Sequence, residues 1–311
     1  MMYQTKKPSP SGHFSPLRYP GGKGKLAQFI INVIRQNGLS DGLYVEPYAG
    51  GAAVAWELLL KGVVRRISIN DINKPVYYFW QSVVNNTLEL IDLINSTPVD
   101  LENRDRLRHV FRDPSASPIM IGFAMFYLNR TQRSGILNGG VIGGRDQLGK
   151  WKIDARFNKS DLIKRILAIS AMKSRITISN MDAVCFLKYN MWSWPTKTLV
   201  YLDPPYYEKG RDLYYDFYKH DDHVNISCAV RNIKDISWIV SYDDISPIHS
   251  LYEDEQWLQY TIGYSAREKM NGREAMFFSE NLDIPPVVGS MRELSRGVFV
   301  EHEQQQKSFS F

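Results

Sequence analysis

The chain has 311 residues, of which 44% are hydrophobic and 23% are charged, with a net charge of +5 and two cysteines. No apolar run approaches the roughly 18 residues of a membrane-spanning helix, and Cys185 and Cys228 lack zinc-ligand spacing, which predicts a cytoplasmic protein without a metal. Residues 1–175 carry a net charge of +12 and residues 176–311 carry −7. The positive charge of the first part would suit a polyanionic partner. The alternative is an uneven distribution of surface charge without any partner.

The first elements predict the start of a parallel sheet. Residues 1–15 are rich in proline and serine, which predicts a mobile N-terminus. From Lys25, apolar residues recur at helical spacing up to a glycine. A strand over Leu43 to Pro47 is followed by the glycine turn EPYAGG, a helix that closes at Gly62, and a second strand over Arg66 to Asp71. Strand, glycine turn, helix and strand are typical of a βαβ unit.

The middle of the chain has a different character. Residues 76–175 read as helical, basic and aromatic, and they include the glycine-rich stretch NGGVIGGRDQLGKWK. We predict that they form an inserted, mainly helical target-recognition subdomain with loops or a hairpin. Residues 16–75 and 176–280 then form one catalytic domain around it.

The alternation of strands and helices that is typical of a parallel sheet resumes after the insert. Strands are predicted over Arg175 to Asn180, Thr198 to Asp203 and Ser237 to Asp244, with helices between them. The segments QWLQYTIGYS and REAMFFS follow, separated by about ten residues as in an antiparallel hairpin. Residues 281–311 show no periodicity and are predicted to be a C-terminal tail. The fold class is therefore α/β, with a Rossmann-like doubly wound sheet that ends in an antiparallel hairpin.

Acidic residues stand at the ends of four predicted strands, namely Glu46, Asp71, Asp182 and Asp203. Each of them alone is more readily explained as a helix cap or a solvated side chain. Ligands of open parallel sheets, however, bind at the carboxyl ends of the strands. The recurrence of acids at these positions therefore predicts a ligand site along that edge.

The glycine turn indicates what this ligand is. EPYAGG, which contains Tyr48 and Gly50, lets the backbone approach a ligand closely. Asp71 lies about 25 residues further on, where a carboxylate can accept hydrogen bonds from both hydroxyls of a ribose. The turn and the acid together predict a nucleoside-containing cofactor, to which we also assign Glu46.

The segment DPPY predicts the chemistry. An exocyclic amine of a nucleobase is a poor nucleophile because its lone pair is delocalised into the ring. Asp203 and the carbonyl of Pro204 could accept its two hydrogens, while Pro204 and Pro205 restrict the backbone. Tyr206 would offer a ring on which an extruded base stacks. The alternative is a rigid turn that ends a strand with a buried tyrosine.

Five motifs resemble, in order, those of the Dam-like family of DNA adenine methyltransferases, over residues 16–280. They are LRYPGGKGKL, VEPYAGGAAV, DIN, FYLNRT and DPPY. The resemblance implies S-adenosylmethionine as cofactor and assigns its contacts to Tyr19, Lys23, Asp71 and Asp203. It further implies that Asp182 meets the adenine ring of the cofactor.

FYLNRT resembles the start of the family's target-recognition insert. By this resemblance we expect Asn129 and Arg130 to bind DNA, and we add Arg133; the alternative for each arginine is an ion pair with an aspartate of the insert. The chain departs from the family at Ala52, where a glycine is usual. It also departs after Arg130, where Arg133 and Ser134 stand in place of the residues of GATC-specific enzymes, which argues against that specificity.

The sequence thus predicts a DNA adenine methyltransferase that uses S-adenosylmethionine, flips its target base out of double-stranded DNA and needs no metal. Rival interpretations are methylation of an exocyclic amine on cytosine or on an RNA base, and a catalytically silent DNA-binding module. A methyltransferase for small molecules or proteins would leave the basic insert unexplained. A monomer suffices for this reaction, and a cognate restriction endonuclease is a candidate partner.

Overall fold

The computed structural model describes residues 14–18, 23–207, 218–262 and 272–297. The helices in these ranges are α1 (Ala27–Gln36), α2 (Ala53–Leu60), α3 (Lys74–Asn85), α4 (Thr87–Ser96), α5 (Leu101–Arg112), α6 (Pro118–Thr131), α7 (Lys159–Ser170), α8 (Ala183–Asn190), α9 (His220–Arg231) and α10 (Ser246–Leu251). The strands are β1 (Leu43–Glu46), β2 (Arg66–Asn70), β3 (Ile176–Ser179), β4 (Thr198–Leu202), β5 (Ser237–Asp243), β6 (Gln256–Ile262), β7 (Arg273–Phe278) and β8 (Met291–Gly297).

The strands form one sheet in the order β3-β2-β1-β4-β5-β7-β6-β8. The first five pair in parallel, and β7 enters antiparallel between β5 and β6. The sheet is covered on both faces, since Leu199 and Tyr201 of β4 join one apolar cluster and Val200 and Leu202 join another. A parallel strand that is buried on both faces reads as a continuous apolar run. The predicted doubly wound sheet and its C-terminal hairpin are confirmed.

Two segments near the ends of the described residues differ from the sequence prediction. Ser15, which was placed in the mobile N-terminus, is buried, and its Oγ donates a hydrogen bond to the Gly51 carbonyl at 2.6 Å. At the other end, Leu282 is buried and β8 pairs antiparallel with β6. Most residues of β8 are partly or fully exposed. The strand therefore lacks the apolar alternation that would have revealed it in the sequence.

The insert between β2 and β3 consists mainly of helices α3 to α7, as predicted. Helices α3 and α6 approach closely because Gly122 has no side chain. A Cβ at this position would lie 2.7 Å from backbone atoms of Tyr78 and Phe79. The rings of Phe79 and Phe126 stack with their centroids 5.1 Å apart. The glycine-rich stretch forms turns and one isolated bridge, Gln132 to Val141, rather than a hairpin.

The insert shares its core with the sheet. Phe79, Phe123 and Leu162 belong to the same apolar cluster as Phe29 of α1 and Trp56 of α2. The insert is therefore held against one face of the sheet, and its position relative to the strand ends is set by packing. No helix in the described ranges is both long and apolar enough to cross a bilayer.

Candidate active site

A cavity of about 490 Å³ opens where β1, β2 and β4 end. Parallel strands bring their carboxyl ends to one edge of a sheet, which explains why residues distant in sequence meet there. The predicted cofactor-binding and catalytic residues that line it are Lys23, Glu46, Tyr48, Gly50, Asp71, Asp203 and Pro205. Tyr19 lies outside the described residues.

Lys23 is buried between two carboxylates. Its Nζ donates to Glu274 Oε2 at 2.7 Å and to the Tyr206 hydroxyl at 3.1 Å, and it lies 3.6 Å from Asp203 Oδ1. Burial by itself would lower the pKa of Lys23, but the charges of Asp203 and Glu274 outweigh it and raise the pKa well above its usual value. The ammonium group therefore stays charged and joins the N-terminal motif to the DPPY turn and to β7.

Asp203 is held by Ser241 of β5 and lies beside Lys23. Its Oδ1 accepts a hydrogen bond from Ser241 Oγ of β5 at 2.8 Å. Burial raises the pKa of Asp203 to about 6, with Glu274 adding to the rise and Lys23 opposing it. At neutral pH the group is thus mainly a carboxylate, which can only accept hydrogen bonds.

The rest of the DPPY turn is also anchored. Pro204 is buried and Pro205 lines the cavity. The Tyr206 hydroxyl accepts from Lys23 and donates to Glu274 Oε1 at 3.2 Å. These contacts hold the end of the Tyr206 side chain.

Asp71 fixes the glycine turn. Its Oδ2 accepts from the Gly50 N–H at 2.8 Å and its Oδ1 from the Asn73 N–H at 2.9 Å. Gly50 and Ala52 both adopt positive φ, of 45° and 46°. Ala52, where the family usually has glycine, therefore occupies a left-handed conformation that disfavours a Cβ. The Tyr48 hydroxyl lies 2.8 Å from that of Tyr218.

Glu46 is buried and incompletely paired. Its Oε1 accepts from the Tyr44 hydroxyl at 2.8 Å, whereas its buried Oε2 has no hydrogen bond of ordinary geometry within the described residues. Burial, with a smaller contribution from the charge of Asp203, raises the pKa of Glu46 to about 8 against the opposing hydrogen bonds of the Tyr44 hydroxyl and the Ala55 amide. The carboxyl group is therefore mostly protonated at neutral pH.

Asp182 occupies a different kind of position. It is exposed and caps α8, accepting a hydrogen bond from the Cys185 N–H at 3.1 Å. Its neighbours Met181 and Ala183 line the cavity, but Asp182 itself does not. Its assignment to the cofactor stays a prediction.

The three residues assigned to DNA are separated by the structure. Asn129 is buried in α6, and its amide is hydrogen-bonded to the backbone of Arg18. Arg130 lines the cavity, and Arg133 lies in a second cleft of about 420 Å³. Arg104, Arg108 and Arg145 also line this cleft, which makes it strongly basic. No carboxylate within the described ranges lies within 4.0 Å of Arg130 or Arg133.

Sequence reasoning missed Glu274 and Ser241. Glu274 also accepts a hydrogen bond from the Tyr260 hydroxyl of β6 at 2.7 Å. An acid inside the apolar run REAMFF and a serine inside SWIVSY were the available signals. A polar side chain at a buried strand position requires a partner, and that partner lies in a distant segment.

Comparisons with known proteins show the family of this chain. Residues 19–264 match the sequence profile of the D12 class N6 adenine-specific DNA methyltransferases. The Type II methyltransferase M.MjaIII of Methanocaldococcus jannaschii is 25% identical over 206 residues, which cover 61% of this chain and 68% of that protein.

Two solved structures are more distantly similar. The rRNA methyltransferase aviRa of Streptomyces viridochromogenes has a TM-score of 0.36 at 14% identity, covering 84% of this chain and 86% of that one. Protein LPL1258 of Legionella pneumophila has a TM-score of 0.32 at 12% identity, covering 83% and 86%. The assignment therefore rests on the match of the family profile over most of the sequence. The chain belongs to the family of D12 class N6 adenine-specific DNA methyltransferases.

Proposed function

We propose that the protein transfers a methyl group from S-adenosylmethionine to the exocyclic amino group of an adenine flipped out of double-stranded DNA. The observation that carries the proposal is the position of Asp203. Its carboxylate is held by Ser241 and neighbours Lys23, and it lines the same cavity as the glycine turn and Asp71. A hydrogen-bond acceptor thus adjoins a surface suited to a nucleoside.

The residues of the cavity fit this cofactor. Two backbone hydrogen bonds orient the Asp71 carboxylate beside Gly50, where it can accept hydrogen bonds from ribose hydroxyls. The incompletely paired Oε2 of Glu46 could be satisfied by the amino group of the cofactor. When bound, the cofactor supplies a methyl group on a positively charged sulfonium.

Asp203 and Pro204 would activate the adenine. Their carboxylate and carbonyl oxygens would accept the two amine hydrogens and localise the nitrogen lone pair. The nitrogen would then act as the nucleophile that takes up the methyl group supplied by the cofactor. The ionised Asp203 would receive the proton that the methylated nitrogen must lose. Tyr206, with its hydroxyl held by Lys23 and Glu274, would present its ring to the extruded base.

The basic cleft supports a DNA substrate. Arg104, Arg108, Arg133 and Arg145 line it, and arginine is well suited to phosphates and guanine edges. Arg104 and Arg145 share Asp105, at 2.7 Å and 2.8 Å, so two of these arginines are partly neutralised. Arg133 is exposed and has no such ion pair in the described ranges, which makes it the member most available to DNA. A single subunit provides both the cavity and the cleft, and a restriction endonuclease remains a candidate partner.

Expression in a bacterial host that lacks DNA methylation tests this function. Genomic DNA is then sequenced by a method that detects modified bases in context. We expect methyladenine at one recurrent motif, and none in cells that express Asp203→Ala at the same level. Methylcytosine at a recurrent motif, or unmodified DNA despite abundant folded protein, would refute the proposal.

A further inference from the structure

Four arginines from separate parts of the chain meet at the cavity, and no step of the proposed reaction uses them as a group. They are Arg18, Arg130, Arg156 and Arg165, and all of them line its wall. We propose that they form an oxyanion site, referred to below as the arginine site. It would bind either a phosphodiester of the DNA strand or the carboxylate of the cofactor's amino-acid part. The proposal rests on the proposed function for its two candidate ligands.

The four guanidinium groups are close enough to repel one another. Burial, together with the charges of Arg18, Arg165 and Arg156, lowers the pKa of Arg130 to about 9, although the charge of Asp161 opposes this shift. The pKa of Arg18 is lowered by burial and by Arg156. Clustered cations of this kind destabilise the folded chain unless an anion compensates them.

The chain itself supplies little compensation. Asp161 pairs with Arg165 at 2.8 Å. Within the described ranges, no other carboxylate lies within 4.0 Å of any of the four groups. Asp203 and Glu274 are engaged elsewhere, because both neighbour Lys23. Four cations and one anion leave an excess of positive charge on this wall.

Backbone carbonyls hold three of the groups in place. Arg18 Nη1 donates to the Gln132 carbonyl at 3.1 Å, Arg130 Nε to the Arg156 carbonyl at 2.6 Å, and Arg165 Nη1 to the Ser15 carbonyl at 3.0 Å. A guanidinium group has further N–H donors, which match the oxygens of a phosphate or a carboxylate. Arg156 is exposed, so a ligand can reach the site from solvent.

Arg156→Gln and Arg18→Gln test the arginine site. Arg66→Gln is the matched control, because Arg66 is exposed at the amino end of β2, on the opposite edge of the sheet from the cavity. After thermal unfolding has confirmed that each variant is folded, calorimetry measures the Kd for S-adenosylmethionine and for its decarboxylated analogue. The Kd for a short DNA duplex is measured with S-adenosylhomocysteine present, over a range of salt concentrations.

If the ligand is a phosphodiester, the Kd for DNA rises about tenfold in both cavity variants. The slope of log K against log salt then falls by about 0.9 for each lost contact, and cofactor binding is unchanged. If the ligand is the carboxylate, the Kd for S-adenosylmethionine rises about tenfold and that for the decarboxylated analogue does not. Folded variants that bind both ligands like the Arg66→Gln control would overturn the proposal.

These readouts do not depend on methyl transfer. A wild-type protein that binds cofactor and DNA but methylates no adenine would refute the proposed function. The same protein would still show whether Arg18 and Arg156 contribute to binding an anion. The two proposals can therefore fail separately.

Discussion

The side-chain amide of Asn129 brackets the backbone of Arg18. Its Oδ1 accepts from the Arg18 N–H at 2.8 Å, and its Nδ2 donates to the Arg18 carbonyl at 2.7 Å and to the Gly135 carbonyl at 3.0 Å. Gly135 has a φ of 78°, and a Cβ there would meet the Arg18 carbonyl at 2.1 Å. Helix α6 of the insert thereby fixes the backbone at Arg18.

Replacement of this amide is expected to loosen the backbone at Arg18. Asn129→Ala should lower the free energy of unfolding by about 2–4 kcal/mol, because buried backbone groups lose their partners. It should also raise the Kd for S-adenosylmethionine, since Lys23 follows Arg18 closely in the chain. Chemical denaturation and calorimetry measure the two effects. Asn232→Ala, at an exposed asparagine, is the control. A stable variant with unchanged cofactor affinity would contradict the role of the bracket.

Asp203→Ala should abolish methyl transfer and leave the fold largely intact. The substitution removes the acceptor of an amine hydrogen, and loss of one such group commonly costs about 10² to 10³-fold in rate. Lys23 keeps its ion pair with Glu274 at 2.7 Å, so its charge does not become unpaired. Single-turnover methylation and circular dichroism test this expectation. Turnover near that of the wild type would exclude the mechanism proposed for the DPPY turn.

Glu274→Gln should move the acid limb of the pH profile. The proposed mechanism requires ionised Asp203, so kcat/KM of the wild type should fall as the pH drops through about 6. Glu274 raises the pKa of Asp203 and shares Lys23 with it. Without that charge the pKa of Asp203 falls, and activity persists to lower pH.

The matched control for this experiment is Glu255→Gln. Glu255 likewise belongs to an ion pair, with Arg231 at 3.1 Å, but it does not line the cavity. Its pH profile should superimpose on that of the wild type. A Glu274→Gln profile that is only scaled down, without a shift of the acid limb, would indicate a purely structural role.

Cofactor affinity should depend on pH through Glu46. The pKa of Glu46 is raised to about 8, so a cofactor ammonium group that pairs with its carboxylate must displace a proton. Binding of S-adenosylmethionine should therefore tighten as the pH rises from 7 toward 8, with proton release detectable by calorimetry in buffers of different ionisation enthalpy. The glutamine of Glu46→Gln cannot ionise. The affinity of this variant should therefore increase less as the pH rises, and its binding should release fewer protons. Identical proton release by the variant and the wild type would contradict the contact.

The sequence by itself determined the elements whose signals are local. Apolar runs such as TLVYL marked the buried strands, and acids at their ends marked Glu46, Asp71 and Asp203, which the structure brings to one cavity. The residues to which we assign activation of the amine, those of the DPPY turn, are adjacent in the sequence. These features depend on neighbours along the chain, and the rule that parallel strands share one functional edge is general.

Only the tertiary structure decided which distant partners complete the site. Lys23 meets Glu274 across 251 positions of sequence, because β7 enters the sheet antiparallel beside β5. Packing of α6 likewise places Asn129 against Arg18. It places Arg130 at the cavity and Arg133 at the second, basic cleft. Strand order, register and helix packing arise from the summed burial of the whole chain, so no short stretch of sequence encodes these contacts.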